Sequence, residues 1–416
     1  MSPVLAQGNP AIQTVNRPLP QTTERSQSGA PFWRLSRKMS TFGFLTSIPA
    51  DLLPHTLAPQ LPAAPGFVRA FTLEIAVAGG GAAGATYQPD APFSYIQNIT
   101  FSDINNTQII RLSGFELYLV NLFSGQVKDN GFQNPTALPS FSAGTAAGNF
   151  QFRLVVPFEL NRSGYCSLAA ASQATPMQVN LTLNSLTATG AVYIAAPANQ
   201  TSQTITVKIN QLFWALVQGD LEGSHPYDLG ASHQWSSAAG GVQVSANANT
   251  SIIAPPQSGW LTTLIATLRD SSNTSGAGPA RVGSLPTSDL TYAIDGVPQF
   301  NRQLLDELQD KIVGNFGVQL NGNAADPAQP LAATTASPGA TLTKGVLVYT
   351  YRDSVAESVM AADTLDELIQ IAPGTRLEAG GTFGAAGTAP FTLTFTYGIL
   401  VPTQAGGGKP YSHLAA

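Results

Sequence analysis

Residue types that commonly carry catalysis are scarce in this sequence, and they do not form a recognisable site. The chain has four histidines and one cysteine, which are His55, His225, His233, His413 and Cys166. His225 and His233 lie close together near acidic residues, but their spacing matches no known set of metal ligands. Cys166 has no histidine near it in sequence that could activate the thiol as a nucleophile. We therefore expect no metal, no cofactor and no covalent catalysis.

Two further motifs also have a simple structural interpretation. Residues 79–84 fit the spacing G-x-G-x-x-G after a predicted strand. Dinucleotide binding would need a helix to begin there, so that its amides meet the pyrophosphate. Two prolines follow soon after instead, which favours a turn between strands. Asp306, Glu307 and Asp310 lie on a predicted helix, where we expect a solvated face rather than an acid–base pair. The sequence therefore predicts a protein that is not an enzyme.

One cluster near the N-terminus combines aromatic and basic residues: Trp33, Arg34, Arg37 and Lys38. Residues 32–39 are predicted to form a short basic amphipathic helix. The net charge is +4 over residues 1–50 and −9 over the rest, which together give −5. Two roles remain open, an interfacial helix on anionic lipid or a helix packed on a neighbouring subunit. We expect no sequence-specific binding of nucleic acid, because no basic groove follows.

The composition indicates a surface that other molecules cover. Charged residues make up only 10% of the 416 residues, whereas about 25% is typical of soluble proteins. The sequence contains 39 glycines and 30 prolines, and it has no apolar run long enough to span a membrane. A chain with so few charged residues is poorly suited to remain a soluble monomer. It suits a protein that assembles with copies of itself.

The elements that would position these residues are mostly strands. Residues 67–78, 150–160, 177–184, 191–196, 203–217, 241–254 and 391–400 are predicted strands, because apolar and polar residues alternate along them. Ser113 and Glu116 form a capping-box pattern, which predicts a helix over 114–123. A second helix is predicted over 298–316 from apolar residues at three-to-four spacing. A third short helix is predicted over 363–371.

An internal repeat is the strongest guide to the fold. Residues 92–123 and 259–316 share the order strand, polar turn, strand, small residue plus glycine, helix, long loop, strand. In this alignment Ser113-Gly114 corresponds to Asp295-Gly296. A repeat of this size predicts two similar domains in tandem. Short strands with small-residue turns predict jelly rolls or sandwiches for each of them.

The predicted organisation has five parts. They are an N-terminal arm with a proline-rich connector at 1–66, a first jelly roll at 67–218, a linker at 219–229, a second jelly roll at 230–402 and a tail at 403–416. Because the barrel strands are predicted to begin near Phe67, deletion of residues 1–45 is expected to leave both barrels folded.

The chain resembles the double jelly-roll major capsid proteins, most closely those of tectivirus-like phages with an internal membrane. Adenovirus hexon is a more distant relative. The resemblance is carried by residues 92–121, 150–184 and 289–308, and it extends over roughly 67–402. It implies an all-β fold of two tandem eight-stranded jelly-roll barrels, each with a short helix. The long polar segment at 1–31 departs from the family pattern.

The resemblance also implies a function. Three copies would form a pseudo-hexagonal capsomer of an icosahedral bacteriophage shell, with the N-terminal segment on the inner side near the membrane. The implied partners are the chain itself as a homotrimer, neighbouring capsomers, penton and minor capsid proteins, and possible contact with the internal membrane. The implied location is the virion, after assembly in the host cytoplasm. Two alternatives remain: a trimeric viral receptor-binding or fibre protein, and a carbohydrate-binding double β-sandwich.

Overall fold

Two groups of strands, one after the other, make up the described structure. The computed structural model describes residues 36–49, 53–62, 66–81, 84–87, 90–103, 106–123, 147–159, 166–169, 176–186, 192–216, 231–237, 242–244, 249–253, 259–274, 279–281, 291–300, 346–350, 369–372, 374–382 and 391–402. The first unit contains β1 Ser36–Pro49, β2 His55–Leu57, β3 Gln60–Leu61, β4 Gly66–Ala78, β5 Thr86–Tyr87, β6 Ile96–Ser102, β7 Gln108–Leu112, α1 Gly114–Phe123, β8 Phe150–Pro157, β9 Leu168–Ala169, β10 Met177–Leu183, β11 Tyr193–Ala195 and β12 Thr204–Leu216. The second unit contains β13 Ala231–Ser237, β14 Val242–Val244, β15 Asn249–Ile253, β16 Gly259–Thr274, β17 Pro279–Arg281, β18 Thr291–Ile294, β19 Val297–Phe300, β20 Val346–Thr350, β21 Ile369–Ile371, β22 Leu377–Thr382 and β23 Phe391–Pro402. Short 3-10 helices lie at Phe93–Tyr95 and Gln200–Ser202.

The same strand order occurs in both units. In the first unit one layer has the order β1-β12-β4-β8, and the other has β2 and β3, then β10, β6 and β7. In the second unit one layer has the order β13-β23-β16, with β17, β20 and β21 on the other edge of β16, and the second layer has β15-β22-β18-β19. In each layer, strands from the beginning and from the end of the unit's sequence therefore lie next to each other, as they do in a jelly roll. The predicted tandem double jelly roll is confirmed as the fold.

A matching irregularity relates the two units residue by residue. The pairing of β4 with β12 skips Arg69, and the pairing of β16 with β23 skips Thr262. Three residues earlier, Gly66 and Gly259 have φ of +141° and +134°. A β-carbon on Gly66 would lie 2.0 Å from the Trp214 carbonyl oxygen, and one on Gly259 would lie 2.5 Å from that of Leu400. Both strands thus begin with a glycine that the neighbouring backbone requires.

The predicted repeat is present, but its alignment was wrong by one strand. Asp295 and Gly296 have φ of 50° and 76°, and they form the tight turn between β18 and β19. Their counterpart is the turn between β6 and β7, not Ser113-Gly114, which begins α1. Asp-Gly at a two-residue turn is a typical hairpin signal, because both positions need positive φ.

The predicted amphipathic helix at 32–39 is wrong for residues 36–39. These residues belong to β1, which pairs antiparallel with β12 from Ser36↔Leu216 to Pro49↔Thr204. The proline-rich connector also contains the end of β1 and the strands β2 and β3, so the first unit extends back to Ser36. β1 removes the basis for expecting that deletion of residues 1–45 leaves the barrel intact.

Two other helix predictions are wrong in part. Residues 298–300 belong to β19, and residues 301–316 lie outside the described residues. Residues 369–371 form β21 where a helix was predicted, and 363–368 also lie outside the described residues. In both places the strand residues pair with a neighbour, and sheet pairing overrides a local helical pattern.

Alternating apolar side chains form the core between the layers. Along β4 the side chains of Leu73, Ile75 and Val77 are buried, and Glu74 and Ala76 between them are half-buried. Aromatic rings fill the centre of the first unit, where the Phe101 ring stacks on Phe158 at a centroid distance of 4.4 Å. Burial of one such side chain contributes about 1.5–3 kcal/mol.

Candidate assembly site

One edge of the first barrel is closed by its own helix. The Asn121 side chain on α1 accepts a hydrogen bond from the Val155 amide at 2.8 Å and donates one to the Val155 carbonyl at 2.6 Å. Val155 lies in β8, the last strand of its layer, so the side-chain amide replaces a neighbouring strand. A helix that bonds to an edge strand in this way protects that edge against pairing with another chain.

A local sequence signal at its N-terminus and a ring contact on its inner side place α1. The Ser113 amide donates to the Glu116 carboxylate at 2.7 Å, and the Glu116 amide donates to the Ser113 hydroxyl at 3.3 Å. The predicted capping box and helix are confirmed. On its inner side Tyr118 stacks on Phe93 with centroids 4.2 Å apart. Ring stacking and the capping box together fix the helix that covers β8.

The opposite edge of the same layer is not covered by any described strand or helix. β1 is the first strand of that layer, and among the described residues it pairs with β12 alone. Met39, Phe42 and Leu45 on β1 are 50%, 55% and 55% exposed. A long edge strand with exposed apolar side chains is prone to pair with another molecule. β1 is therefore the clearest candidate surface for assembly.

The predicted basic cluster falls partly on this edge. Arg37 and Lys38 are exposed residues of β1, and Trp33 and Arg34 lie outside the described residues. The Lys38 ammonium lies over the Trp214 ring, 4.7 Å from its centroid. Lys38 thus has a contact within the barrel, where the sequence analysis expected only an external one.

A buried ion pair contacts the Trp214 side chain. Arg69, the residue that the sheet pairing skips, forms an ion pair of 2.8 Å with Glu159, and the Trp214 indole donates to Glu159 at 3.2 Å. The Glu159 side chain is only 1% exposed. Loss of one partner of a buried pair is costly, because it leaves the other charge uncompensated. Sequence inspection missed this site because its members are far apart in the chain.

Where the structure describes both barrels, a short strand pairing and an ion pair join them. β13 pairs in parallel with β7 at Trp235↔Ile110 and Ser236↔Arg111. Arg269 on β16 forms an ion pair of 2.5 Å with Asp90 of the first barrel, and its guanidinium lies 5.7 Å from the centroid of the Phe115 ring on α1. The second barrel is therefore tied to the first through β7 and α1.

A polar cluster holds the chain at the entry to β8. The Tyr193 hydroxyl donates to the Gly148 carbonyl at 2.5 Å, and the Gln203 amide donates to the same carbonyl at 2.9 Å. Burial raises the pKa of Tyr193 to about 12, although the hydrogen bond from Gln203 opposes the shift. Burial, with the nearby Tyr193, also raises the pKa of Tyr87 well above its usual value. Both rings therefore stay neutral at physiological pH.

The residues considered for catalysis do not come together in the described part of the chain. The glycine-rich segment leads from β4 to β5 rather than into a helix, and the Gly80 amide donates to the Asn149 side chain at 3.1 Å. Cys166 is buried, and His233 is a buried residue of β13 whose ring packs against Trp235. His225, His413 and the carboxylates at Asp306, Glu307 and Asp310 lie outside the described residues.

Within the described ranges, no group of three or more potential metal-ligating side chains occurs. In the same ranges, no helix has the length and apolar character needed to cross a bilayer.

Comparison with known proteins identifies the fold. No family model matches the chain, and no curated protein matches its sequence. The structure is similar to that of the major capsid protein of STIV, Sulfolobus turreted icosahedral virus, at 12% identity and a TM-score of 0.55, over 91% of this chain and 99% of that one. It is also similar to the PBCV-1 virus capsid structure, at 12% identity and 0.56, over 88% and 93%. The Faustovirus major capsid protein matches at 9% identity and 0.51, over 88% and 90%.

These structural neighbours are double jelly-roll major capsid proteins of viruses. Because the matches cover nearly the whole of both chains, the similarity includes both barrels in tandem. The fold predicted from the sequence resemblance is confirmed at this level.

Proposed function

We propose that the chain is a major capsid protein that forms trimeric, pseudo-hexagonal capsomers of an icosahedral virus shell. The similarity over 91% of this chain and 99% of the STIV capsid protein carries the proposal. A match to one barrel would support many functions, because jelly rolls occur in unrelated proteins. Two barrels in tandem with the same strand order are a much narrower feature.

The action of such a protein is mechanical, by assembly and not by catalysis. Two similar barrels in each chain provide six similar edges in a trimer, which suits a hexagonal position in a shell. The low content of charged residues favours this role, because charge repulsion and desolvation would oppose close lateral packing. The exposed apolar side chains of β1 provide one contact surface.

The structure weakens the carbohydrate-binding alternative. Sugar-binding platforms usually need several exposed aromatic rings, but Trp214, Trp235 and Trp260 are only 3%, 1% and 5% exposed. Among the residues whose side chains are described, Phe42 on β1 is the exposed aromatic ring. The fourth tryptophan, Trp33, lies outside the described residues. The fibre alternative lacks support from any solved structure discussed above.

The proposed shell has an inner side that carries the basic N-terminal region. We place Trp33, Arg34 and Arg37 there, against an internal membrane or the capsid floor, with Lys38 over Trp214 at the start of β1. Each basic group close to an anionic surface adds about 1 kcal/mol to binding. Neighbouring capsomers, penton proteins and minor capsid proteins are the further proposed partners. Assembly is proposed to take place in the host cytoplasm, with the protein ending in the virion.

Electron microscopy of the purified protein tests this function. The proposal expects discrete trimers, and hexagonal plates at higher protein concentration. Elongated rods would support the fibre alternative, and monomers at all concentrations would contradict the capsid proposal.

A further inference from the structure

The contact between the two barrels of one chain uses equivalent strands in a directional way. β13, the first edge strand of the second barrel, pairs in parallel with β7 of the first barrel. In this contact, an edge strand from one layer of the second barrel meets an edge strand from the opposite layer of the first barrel. The contact is heterologous, because two different surfaces meet.

Each of these strands has a counterpart in the other barrel. β1 occupies in its layer the position that β13 occupies in the second barrel, and β19 occupies the position of β7. The pairing register defines the counterparts residue by residue. Trp235 pairs with Gly398, and Ser40 pairs with Leu212. On their other side, Gly398 and Leu212 each pair with the residue that directly follows the skipped one. Ser40 and Thr41 therefore correspond to Trp235 and Ser236.

From this equivalence we propose that β1 of one subunit pairs with β19 of a second copy of the chain. This contact between subunits would have the same geometry as the pairing of β13 with β7 within a subunit. The inference rests on the proposed trimer and names the two strands that join its neighbouring subunits. A head-to-tail contact of this kind forms a closed ring when its rotation closes.

The exposed apolar residues agree with this pairing. The described residues include five exposed large hydrophobic side chains, of which Met39, Phe42 and Leu45 lie on β1 and Val297 begins β19. Phe42 and Leu45 are 55% exposed and Val297 is 60% exposed. Both strands are the last of their layers, and among the described residues β19 pairs only with β18. The α1 helix excludes β8 as an alternative edge through Asn121.

Cysteine cross-linking tests the pairing in the full-length protein. Cys166 is first replaced by serine, and S40C is then combined with P298C, because Pro298 takes in its hairpin the place that Ile110, the partner of Trp235, takes in the other. In a second variant T41C is combined with F300C, the counterpart of the Ser236 and Arg111 pair. Oxidation of the trimer should give a covalent trimer on a denaturing gel in at least one of the two variants. A mixture of S40C chains with P298C chains should give covalent dimers, because each bond joins two molecules. The matched control combines R153C, an exposed site on the covered strand β8, with the same partners, and it should not cross-link.

A charge substitution gives an independent test. F42E with L45E places two carboxylates in the proposed contact and should raise the trimer dissociation constant by roughly thirtyfold or more. L53E, at a 64% exposed residue outside β1, is the control and should leave it unchanged. Circular dichroism establishes that each variant is folded.

The outcomes separate this inference from the capsid function. Trimers that form without any cross-link at β1 and β19, and that tolerate F42E with L45E, would overturn the pairing and leave the trimer in place. A wild-type protein that stays monomeric would overturn both.

Discussion

Replacement of the glycine that begins β4 or β16 should destabilise its barrel strongly. In Gly66→Ala the new β-carbon would lie 2.0 Å from the Trp214 carbonyl oxygen, and in Gly259→Ala it would lie 2.5 Å from the Leu400 carbonyl oxygen. Both are backbone atoms in paired strands, so relief of the clash must move the sheet. Strain at a conformation that only glycine adopts easily costs about 1–3 kcal/mol, and forced displacement in a packed interior costs about 1–3 kcal/mol more.

The expected total is therefore about 2–6 kcal/mol for each variant. For a unit of this size, 1 kcal/mol lowers the Tm by about 2–4 °C, so a fall of roughly 4–24 °C is expected. Differential scanning calorimetry measures it directly. Two control variants separate the cost of backbone strain from the cost of the steric clash. Gly296→Ala has positive φ but open space, and should cost about 1–2 kcal/mol. Gly374→Ala has open space without positive φ, and should change the stability by less than about 0.5 kcal/mol.

The order of the stability losses in the four variants tests whether the two barrels are equivalent at these positions. Gly66→Ala and Gly259→Ala should resemble each other and exceed Gly296→Ala. If either of them is as mild as Gly296→Ala, the close approach of the strands does not hold at that site, and the residue-level match between the barrels fails with it.

Three other perturbations have defined outcomes. Asn121→Ala removes two hydrogen bonds to the β8 edge and should cost about 2–4 kcal/mol in a denaturant titration, whereas exposed Asn180→Ala should cost less than about 0.5 kcal/mol. Because the pKa values of Tyr87 and Tyr193 are raised on folding, the stability that these two rings contribute should be constant up to about pH 10, where tyrosine ionises in the unfolded chain, and should then fall. Between pH 10 and 12 the loss is about 1.4 kcal/mol per pH unit for each ring, and Tyr193→Phe should reduce the slope; an unchanged slope would contradict burial of its hydroxyl. A chain that begins at residue 36 should keep the Tm of the full chain, whereas one that begins at residue 46 loses most of β1 and should melt at a lower temperature.

The strands with regular alternation and the capped helix were predictable from sequence. The strand predicted at 67–78 is observed as β4, whose second half alternates between buried residues at 73, 75 and 77 and half-buried residues at 74 and 76. The helix at 114–123 was predicted because Ser113 and Glu116 specify its first turn by local hydrogen bonds. Local chemistry was sufficient in both cases.

β1 was missed because the apolar residues around its start have a helical spacing. Leu35, Met39 and Phe42 lie four and three positions apart, which fits one face of a helix as well as it fits an exposed strand. The contact of Arg269 with Asp90 and that of Glu159 with Trp214 join distant parts of the chain, and no short-range pattern predicts them. The correct alignment of the barrels did have a signal. Gly66-Phe67-Val68 and Gly259-Trp260-Leu261 share a pattern of glycine, aromatic and aliphatic residue.

The mass of the purified full-length protein in solution tests the central claim most directly. Each chain has a mass of 43.3 kDa, so a trimer has a mass of about three times that value. Analytical ultracentrifugation at micromolar concentration and moderate salt should show the trimer as the main species, because stable interfaces of this kind bury on the order of 2,000 Å² or more. A single species at 43.3 kDa under these conditions would contradict the account.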